Sequence, residues 1–239
     1  MCVAEPLVSV VAPAHNEEGY LEDAVRRTVE GLRRRGSPFE VIVCENGSGD
    51  RTWALAEALD SRYQEVRALR LPHPDYGAAL RTGFVAATGT FVVNFDVDLV
   101  DLDFLDQALA LALSDPRVDV VVGTKRGAGA EDRRPLVRRW VTAAFALVMR
   151  FGFGLRASDT HGLKLLRRRE LAGVVERCSA SSDIFDTELV LRAERAGRRV
   201  AEVPVRVVEQ RPARSSIAVR IPRTLLGLAR LRLTLWQHG

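Results

Sequence analysis

Residues 7–36 read LVSVVAPAHNEEGYLEDAVRRTVEGLRRRG. The β-branched run Leu7–Pro13 stops at a proline. Glu18–Arg35 then carries apolar residues at helical spacing, Leu21, Val25, Val29 and Leu32, until Gly36 ends it. A strand feeding directly into a helix is the prediction, and the unit recurs. Strands are expected at Phe39–Glu45, Val66–Leu71, Thr90–Asp96 and Val118–Thr124, with helices at Arg51–Leu59, Ala78–Ala87 and Phe104–Leu113 between them. Such alternation calls for an α/β fold, a mostly parallel Rossmann-like sheet with helices on both faces. Ligands of such sheets sit at the carboxyl ends of the strands. Here those ends are polar: Pro13–Glu18, Glu45–Asp50, Asp96–Asp98 and Lys125–Arg126.

After Gly127 the alternation fades. A long amphipathic helix is expected over Leu136–Phe151, the segment Ser158–Leu166 shows no clear period, and a helix at Thr187–Ala196 leads into Val200–Val208, with Pro204 inside it. The simplest division is one catalytic domain, 1–216, with a basic amphipathic C-terminal helix, 217–239, as an appendage. With 239 residues, 47% hydrophobic and 28% charged, the chain is a globular domain and not a disordered tail. Its charge-free stretches, such as Phe84–Phe95, fall short of the roughly 17–25 apolar residues that span a bilayer. The start of the chain lacks a leader pattern, so a cytoplasmic location is expected. Cys2, Cys44 and Cys178 show no zinc spacing and read as free thiols.

Asp96-Val97-Asp98 closes the fourth strand. Two carboxylates so placed repel one another, and a hard divalent cation between them removes that cost. Mg²⁺ or Mn²⁺ shared with a substrate diphosphate suits the pair; the alternative is an acidic loop in which Asp98 or Asp101 caps the next helix. Two neighbouring loops, Ala14–Glu18 and Glu45–Thr52, add small residues for tight turns and side-chain acceptors for a base or ribose, with Asp50 placed to cap a helix. Together they form the mouth of a nucleotide pocket.

Val8–Glu18, Glu45–Thr52, Gly77–Gly83 and Asn94–Leu99 resemble the successive motifs of inverting glycosyltransferases of family two, which have the GT-A fold. Ser158–Leu165, Phe185–Leu189 and Ala201–Val205 are similar to the dolichyl- or polyprenyl-phosphate hexose synthases within that family. The resemblance implies transfer of a hexose from GDP-mannose or UDP-glucose to a polyprenyl or dolichyl phosphate. Pro13, His15 and Glu17 would line base and ribose, His15 standing where tyrosine is usual. Glu45 and Asn46 occupy the place of an Asp-Asp pair, and Asp75 that of a frequent glycine. Asp96 and Asp98 match the metal and diphosphate motif. Val100 falls where relatives can offer a third ligand, a place Asp101 or water would fill. By the same resemblance Arg126 and Arg138, with Thr142, bind the acceptor phosphate. Arg211 and Arg214, followed by Ser215, close over donor or acceptor, Arg214 replacing a lysine. Glu188 and Asp186 open a helix near the acceptor side, there to hold a sugar hydroxyl or the closing loop, or simply to complement the helix dipole.

A lipid monophosphate is already an anionic nucleophile, so the reaction needs positioning and cations more than a strong base. Arginine matches phosphate bidentately. Residues 205–239 hold seven arginines against Glu209 alone, a net of +6 in a chain of formal net charge +4, leaving −2 on the rest. On a helical wheel Ile217, Ile221, Leu225, Leu228, Leu231 and Leu235 share a face flanked by Arg220, Arg223 and Arg230. Such a helix either lies on the cytoplasmic face of a membrane or packs on the core. The same choice attends Trp140–Met149. Relatives carry membrane-spanning segments after the catalytic domain; here access to lipid is expected through these helices or a separate membrane subunit. Two other readings stand beside this one: a GT-A enzyme with a soluble acceptor, and a catalytically silent nucleotide-sugar binding protein. Nucleic acid is not an expected partner, since the basic segment lacks interleaved aromatics.

Overall fold

The computed structural model describes residues 6–124, 131–132, 145, 147–157, 160, 162–179, 184–207 and 224–233, with 131–132 and 206–207 described as backbone only. In chain order the elements are β1 (Val8–Ala14), α1 (Leu21–Arg35), β2 (Phe39–Asn46), α2 (Thr52–Arg62), β3 (Val66–Leu71), α3 (Tyr76–Ala86), β4 (Phe91–Asn94), α4 (Leu102–Ser114), β5 (Val118–Thr124) and β6 (Glu131–Asp132). They continue with α5 (147–153), β7 (Lys164–Arg167), α6 (Arg168–Arg177), α7 (Phe185–Arg195), β8 (Arg199–Pro204), β9 (Arg206–Val207) and α8 (224–233).

Seven strands form one sheet in the order β3-β2-β1-β4-β7-β5-β8. The pairs β1/β2, β1/β4, β2/β3 and β5/β8 are parallel, whereas β7 runs antiparallel to both β4 and β5. The inner strands β2, β1, β4, β7 and β5 are largely buried on both sides, whereas the edge strands β3 and β8 are partly exposed, and alternate residues serve opposite layers. On β2, Val41 and Val43 join the core with α1, α2 and α4, whereas Ile42 and Cys44 join the core with α3, α6 and α7. Helix α3 sits close to the sheet because of Gly83: a Cβ there would lie 2.3 Å from Val11 Cγ1 and 2.9 Å from Cys44 Sγ. A separate two-stranded pairing joins β6 and β9 in parallel, Glu131 opposite Arg206.

The strand–helix alternation from Leu7 to Thr124 is as the sequence predicts. The fourth strand is shorter, ending at Asn94, because its register with β1 runs out at Val11 opposite Asn94. The end of the unassigned segment Ser158–Leu166 becomes β7, in the middle of the sheet. Asp101 caps α4, as the alternative reading of the acidic loop had it, its Oδ1 accepting from Phe104 N at 2.8 Å; Asp50, expected to cap α2, instead precedes the N-cap residue Arg51 and accepts from Thr52 N at 2.9 Å. Asp75 also caps, accepting from Ala78 N at 2.9 Å.

The apolar stripe expected over Ile217–Leu235 divides. Leu228 and Leu231 are buried in the core with Ile184 and Phe185, whereas Leu225 is exposed along with Leu226 and Leu233. Ile217, Ile221 and Leu235 lie outside the described residues. Of the expected helix Leu136–Phe151, the described part is Phe145 and the beginning of α5. Among the described residues no helix is long and apolar enough to cross a membrane.

Candidate active site

The carboxyl ends of β1 and β2 carry two loops that lock together. His15 Nδ1 lies 2.8 Å from the carbonyl oxygen of Asn46, and Asn16, left-handed at φ 54°, donates its amide to Ser48 Oγ at 3.0 Å. In return Gly49 N donates to Asn16 Oδ1 at 2.9 Å, and Glu17 N to Thr52 Oγ1 at 2.7 Å. Asn tolerates the left-handed region better than most residues, which lets the chain reverse just where its side chain is needed. Gly47 sits at φ 64°, and a Cβ there would meet the His73–Pro74 peptide at 2.7 Å, so the β3–α3 loop closes over it.

The candidate nucleotide residues are distributed through this frame. Pro13 is buried in β1 opposite Cys44. Glu17 is buried beneath the first loop. Glu45 is buried too, its Oε1 accepting from Ser48 N at 2.5 Å and its Oε2 lying 3.5 Å from Arg70 Nε. That carboxylate thus shapes the turn, and Arg70 in turn stacks over Trp53 at 5.1 Å. Asn46 is buried at the end of β2, next to His15.

At the end of β4, Asp96 accepts a hydrogen bond from the Tyr76 hydroxyl at 2.8 Å. Burial pushes the Asp96 carboxyl up to about 6, helped by the nearby charges of Asp186 and Asp98 and opposed by Tyr76 and Lys164. The Tyr76 hydroxyl is itself held well above its ordinary value by burial and by Asp96. A partly buried carboxylate crowded by like charges is poised to be stabilised by a cation. Among the described residues no group of three or more His, Cys, Asp or Glu is disposed to hold a metal ion. The fit is instead to an ion held by few carboxylate oxygens, with the rest from water and substrate phosphate, which is how Mg²⁺ is commonly bound at phosphoryl sites. Asp98, two residues on, is a second carboxylate that could hold such an ion; Asp101 is committed to the cap of α4.

Beneath Asp96 lies Lys164, 0% exposed, whose ammonium reaches Asp186 Oδ1 at 3.0 Å and the carbonyl oxygens of Thr160 and Gly162. Asn94 ties this segment to β4, accepting from Lys164 N at 3.0 Å and donating to the Gly162 carbonyl at 3.3 Å. Asp186 and Glu188, two residues apart on α7, therefore part company. Asp186 turns toward Lys164 and Asp96. Glu188, fully buried, accepts from Arg192 Nε at 2.7 Å and Ser179 N at 3.0 Å, holding the turn after α6. Arg126, Arg138, Thr142, Arg211, Arg214 and Ser215 lie outside the described residues. The β6/β9 pairing does bring the chain between the first two arginines alongside the chain that leads to the others.

Two members of this cluster escaped the sequence reading. Tyr76 meets Asp96 across 20 residues of chain, and no local pattern announces it. Lys164 had a signal: it is one of two lysines among 35 basic residues, at a position where arginine is the chain's habit.

Comparison with known proteins follows the same lines. A family model described as Glycosyl transferase family 2 matches residues 9–173. The chain is 32% identical over 237 residues to Glycosyltransferase AglD of Haloferax volcanii, covering 96% of this chain but 37% of that protein. It is 27% identical over 247 residues to Dolichyl-phosphate beta-glucosyltransferase ALG5D of Trichomonas vaginalis, covering 96% and 75% respectively. It is 29% identical over 201 residues to Undecaprenyl-phosphate 4-deoxy-4-formamido-L-arabinose transferase of Pectobacterium atrosepticum, covering 83% and 58%. The chain thus spans little more than a third of the first of these relatives. Among solved structures, glucosyl-3-phosphoglycerate synthase from Mycobacterium tuberculosis in complex with UDP superposes with a TM-score of 0.70 at 23% identity, over 96% of this chain and 80% of that one. The likeness is one of fold.

Proposed function

Because the chain belongs to glycosyl transferase family 2, with the GT-A fold, we propose that it moves a hexose, with inversion, from a nucleotide diphosphate sugar to a polyprenyl or dolichyl phosphate. The observation that carries this reading is the Asp96 and Asp98 pair at the end of β4, inside the family match and beside the interlocked loops of β1 and β2. Relatives named for dolichyl-phosphate and undecaprenyl-phosphate transfer support the acceptor class.

In this reading Pro13, His15, Glu17 and Asn46 surround base and ribose, and Glu45 holds the loop against which the nucleotide rests. Asp96 and Asp98 hold Mg²⁺ or Mn²⁺, which supplies positive charge against the departing diphosphate. The bond from the anomeric carbon to the donor phosphate breaks as a bond to the lipid phosphate oxygen forms, and the electron pair leaves on the nucleotide diphosphate. Arg126 and Arg138 attract the acceptor phosphate, and Arg211, Arg214 and Ser215 close over the diphosphate. The parallel pairing of Glu131–Asp132 with Arg206–Val207 supports this reading, since it sets the chain between Arg126 and Arg138 beside the chain that leads to Arg211. Glu188 acts through the fold, anchoring the 178–179 turn.

The membrane contact is formed by α5 and α8 together, on the cytoplasmic face. Arg232 Nη1 donates to the Gly152 carbonyl at 3.2 Å, so the two helices are neighbours. Both expose apolar side chains: Leu147, Val148 and Phe151, the last 81% exposed, on α5; Leu225, Leu226 and Leu233 on α8. Arg150, Arg230 and Arg232 stand among them, a composition suited to an anionic interface. The reading is tested by incubating the protein with radiolabelled GDP-mannose or UDP-glucose, polyprenyl phosphate in detergent, and Mg²⁺, Mn²⁺ or chelator. A lipid-extractable, metal-dependent product from one donor is expected. Label transferred only to a water-soluble acceptor would replace this acceptor class, and donor binding without turnover would replace the activity.

A further inference from the structure

Lys164 is the one described cation fully enclosed in the domain, and it pairs with Asn94 at the end of β4, two residues before Asp96. Its ammonium donates to the Thr160 and Gly162 carbonyls and forms an ion pair with Asp186 Oδ1 at 3.0 Å. The chain on either side is fixed, through Asn94 to β4 and through the Thr160 and Thr187 hydroxyls, 2.9 Å apart, to α7. A pure packing position would not be filled by a charge. Removing such a pair in favour of apolar residues is commonly neutral or stabilising. The pair also has a definite place: Lys164 stands opposite Asn94 in the β4/β7 register and donates its backbone N–H to Asn94 Oδ1, two residues before Asp96, so the two charges lie against the end of the strand that carries the acidic pair.

We propose that Lys164 and Asp186 are positioning residues for the cation, a buried ion pair whose two charges set, in opposite directions, how strongly Asp96 and Asp98 attract a divalent ion. Asp186 deepens the negative potential at the end of β4, and Lys164 limits it. The pair keeps the cluster attractive enough to hold a metal–diphosphate and not so negative that the departing nucleotide is retained. Neither side chain need touch the ion: Asp186 is occupied by Lys164, and Lys164 is enclosed. The inference rests on the reading of Asp96 and Asp98 as the cation site.

Mn²⁺ binding to the full chain, followed by loss of the free-ion electron paramagnetic resonance signal without any donor present, tests it directly. Asp186→Asn is expected to weaken binding on the order of tenfold, and Lys164→Met to strengthen it by a similar factor, since a buried charge is poorly screened by water. The double variant, again electroneutral, returns close to wild type. A merely structural role predicts losses in both single variants, not shifts of opposite sign. Should Lys164→Met not fold, the double variant compared with Asp186→Asn reports the lysine's effect by itself. Asp186→Asn binding Mn²⁺ within twofold of wild type, or the two charges shifting affinity in the same direction, overturns the proposal. If instead the wild type binds no Mn²⁺, or binds it equally well with alanine at Asp96 and Asp98, the cation site itself is wrong and this inference falls with it.

Discussion

Replacing Asp96 with asparagine should stabilise the metal-free protein while disabling it. The Asp96 carboxyl is raised from 3.8 to about 6, chiefly by burial and then by the charges of Asp186 and Asp98. At 1.36 kcal/mol per pKa unit, holding it ionised at neutral pH costs the fold about 3 kcal/mol. Asparagine keeps an acceptor for the Tyr76 hydroxyl and carries no charge. The sign follows from linkage: the folded-state value lies above the unfolded one, so the wild type is least penalised below about pH 4 and loses stability as pH rises through about 6. Urea unfolding of wild type and Asp96→Asn in chelator should therefore show a gap in the variant's favour that widens by about 2 kcal/mol between about pH 4 and pH 7.5. Saturating Mn²⁺ should stabilise the wild type and leave the variant unmoved. A gap that does not change with pH, or a variant less stable than wild type at neutral pH without metal, would refute the electrostatic reasoning.

Three further outcomes follow from the same geometry. Tyr76→Phe removes the donor to Asp96 Oδ1 and should cost about 1–3 kcal/mol of stability, as expected for a hydrogen bond to a charged group, while raising the Mn²⁺ concentration needed for half-maximal binding; unfolding and Mn²⁺ titration check both. Gly227→Val places a Cβ where Ile184 Cδ1 is 1.7 Å away, so α8 must shift from its seat; overpacking of this kind costs about 1–3 kcal/mol by thermal unfolding, and proteolysis should reach 224–233 sooner. Phe151→Ser with Leu226→Ser alters exposed positions only and should move stability by under about 1 kcal/mol for the two together, yet co-sedimentation with vesicles containing phosphatidylglycerol should fall severalfold.

The parallel half of the fold was legible because its signals are long and local. Leu21, Val25, Val29 and Leu32 recur over about three turns of α1, and β1, β2, β4 and β5 each lead into polar residues. The antiparallel β7 was not, for a physical reason. Its four residues, Lys164 to Arg167, are bounded by a cation at each end, and Leu165 and Leu166 face opposite cores. Four residues largely buried show neither period, and the partners of Lys164 lie 70 and 42 positions away, at Asn94 and Val122. The acidic pair at Asp96 and Asp98 was readable from its place at a strand end. Its supports were less so, because Tyr76 and Lys164 reach it only through tertiary packing. Asp186 and Glu188 looked equivalent in sequence, yet the helix turns them to different neighbours, one to Lys164 and the other to Arg192 and Ser179. On α8, an apolar stripe looks alike whether it meets lipid or core, and Leu228 meets core.

In this reading Asp96 and Asp98 hold the cation that stabilises the departing nucleotide diphosphate while the hexose passes to a lipid phosphate. Its most direct test is the initial rate of polyprenyl-phosphate hexose formation by the doubly substituted Asp96→Ala, Asp98→Ala protein at saturating donor and Mn²⁺. A loss of at least about a thousandfold is expected, the scale on which removing transition-state charge stabilisation acts. Transfer at a rate near that of the wild type would contradict it.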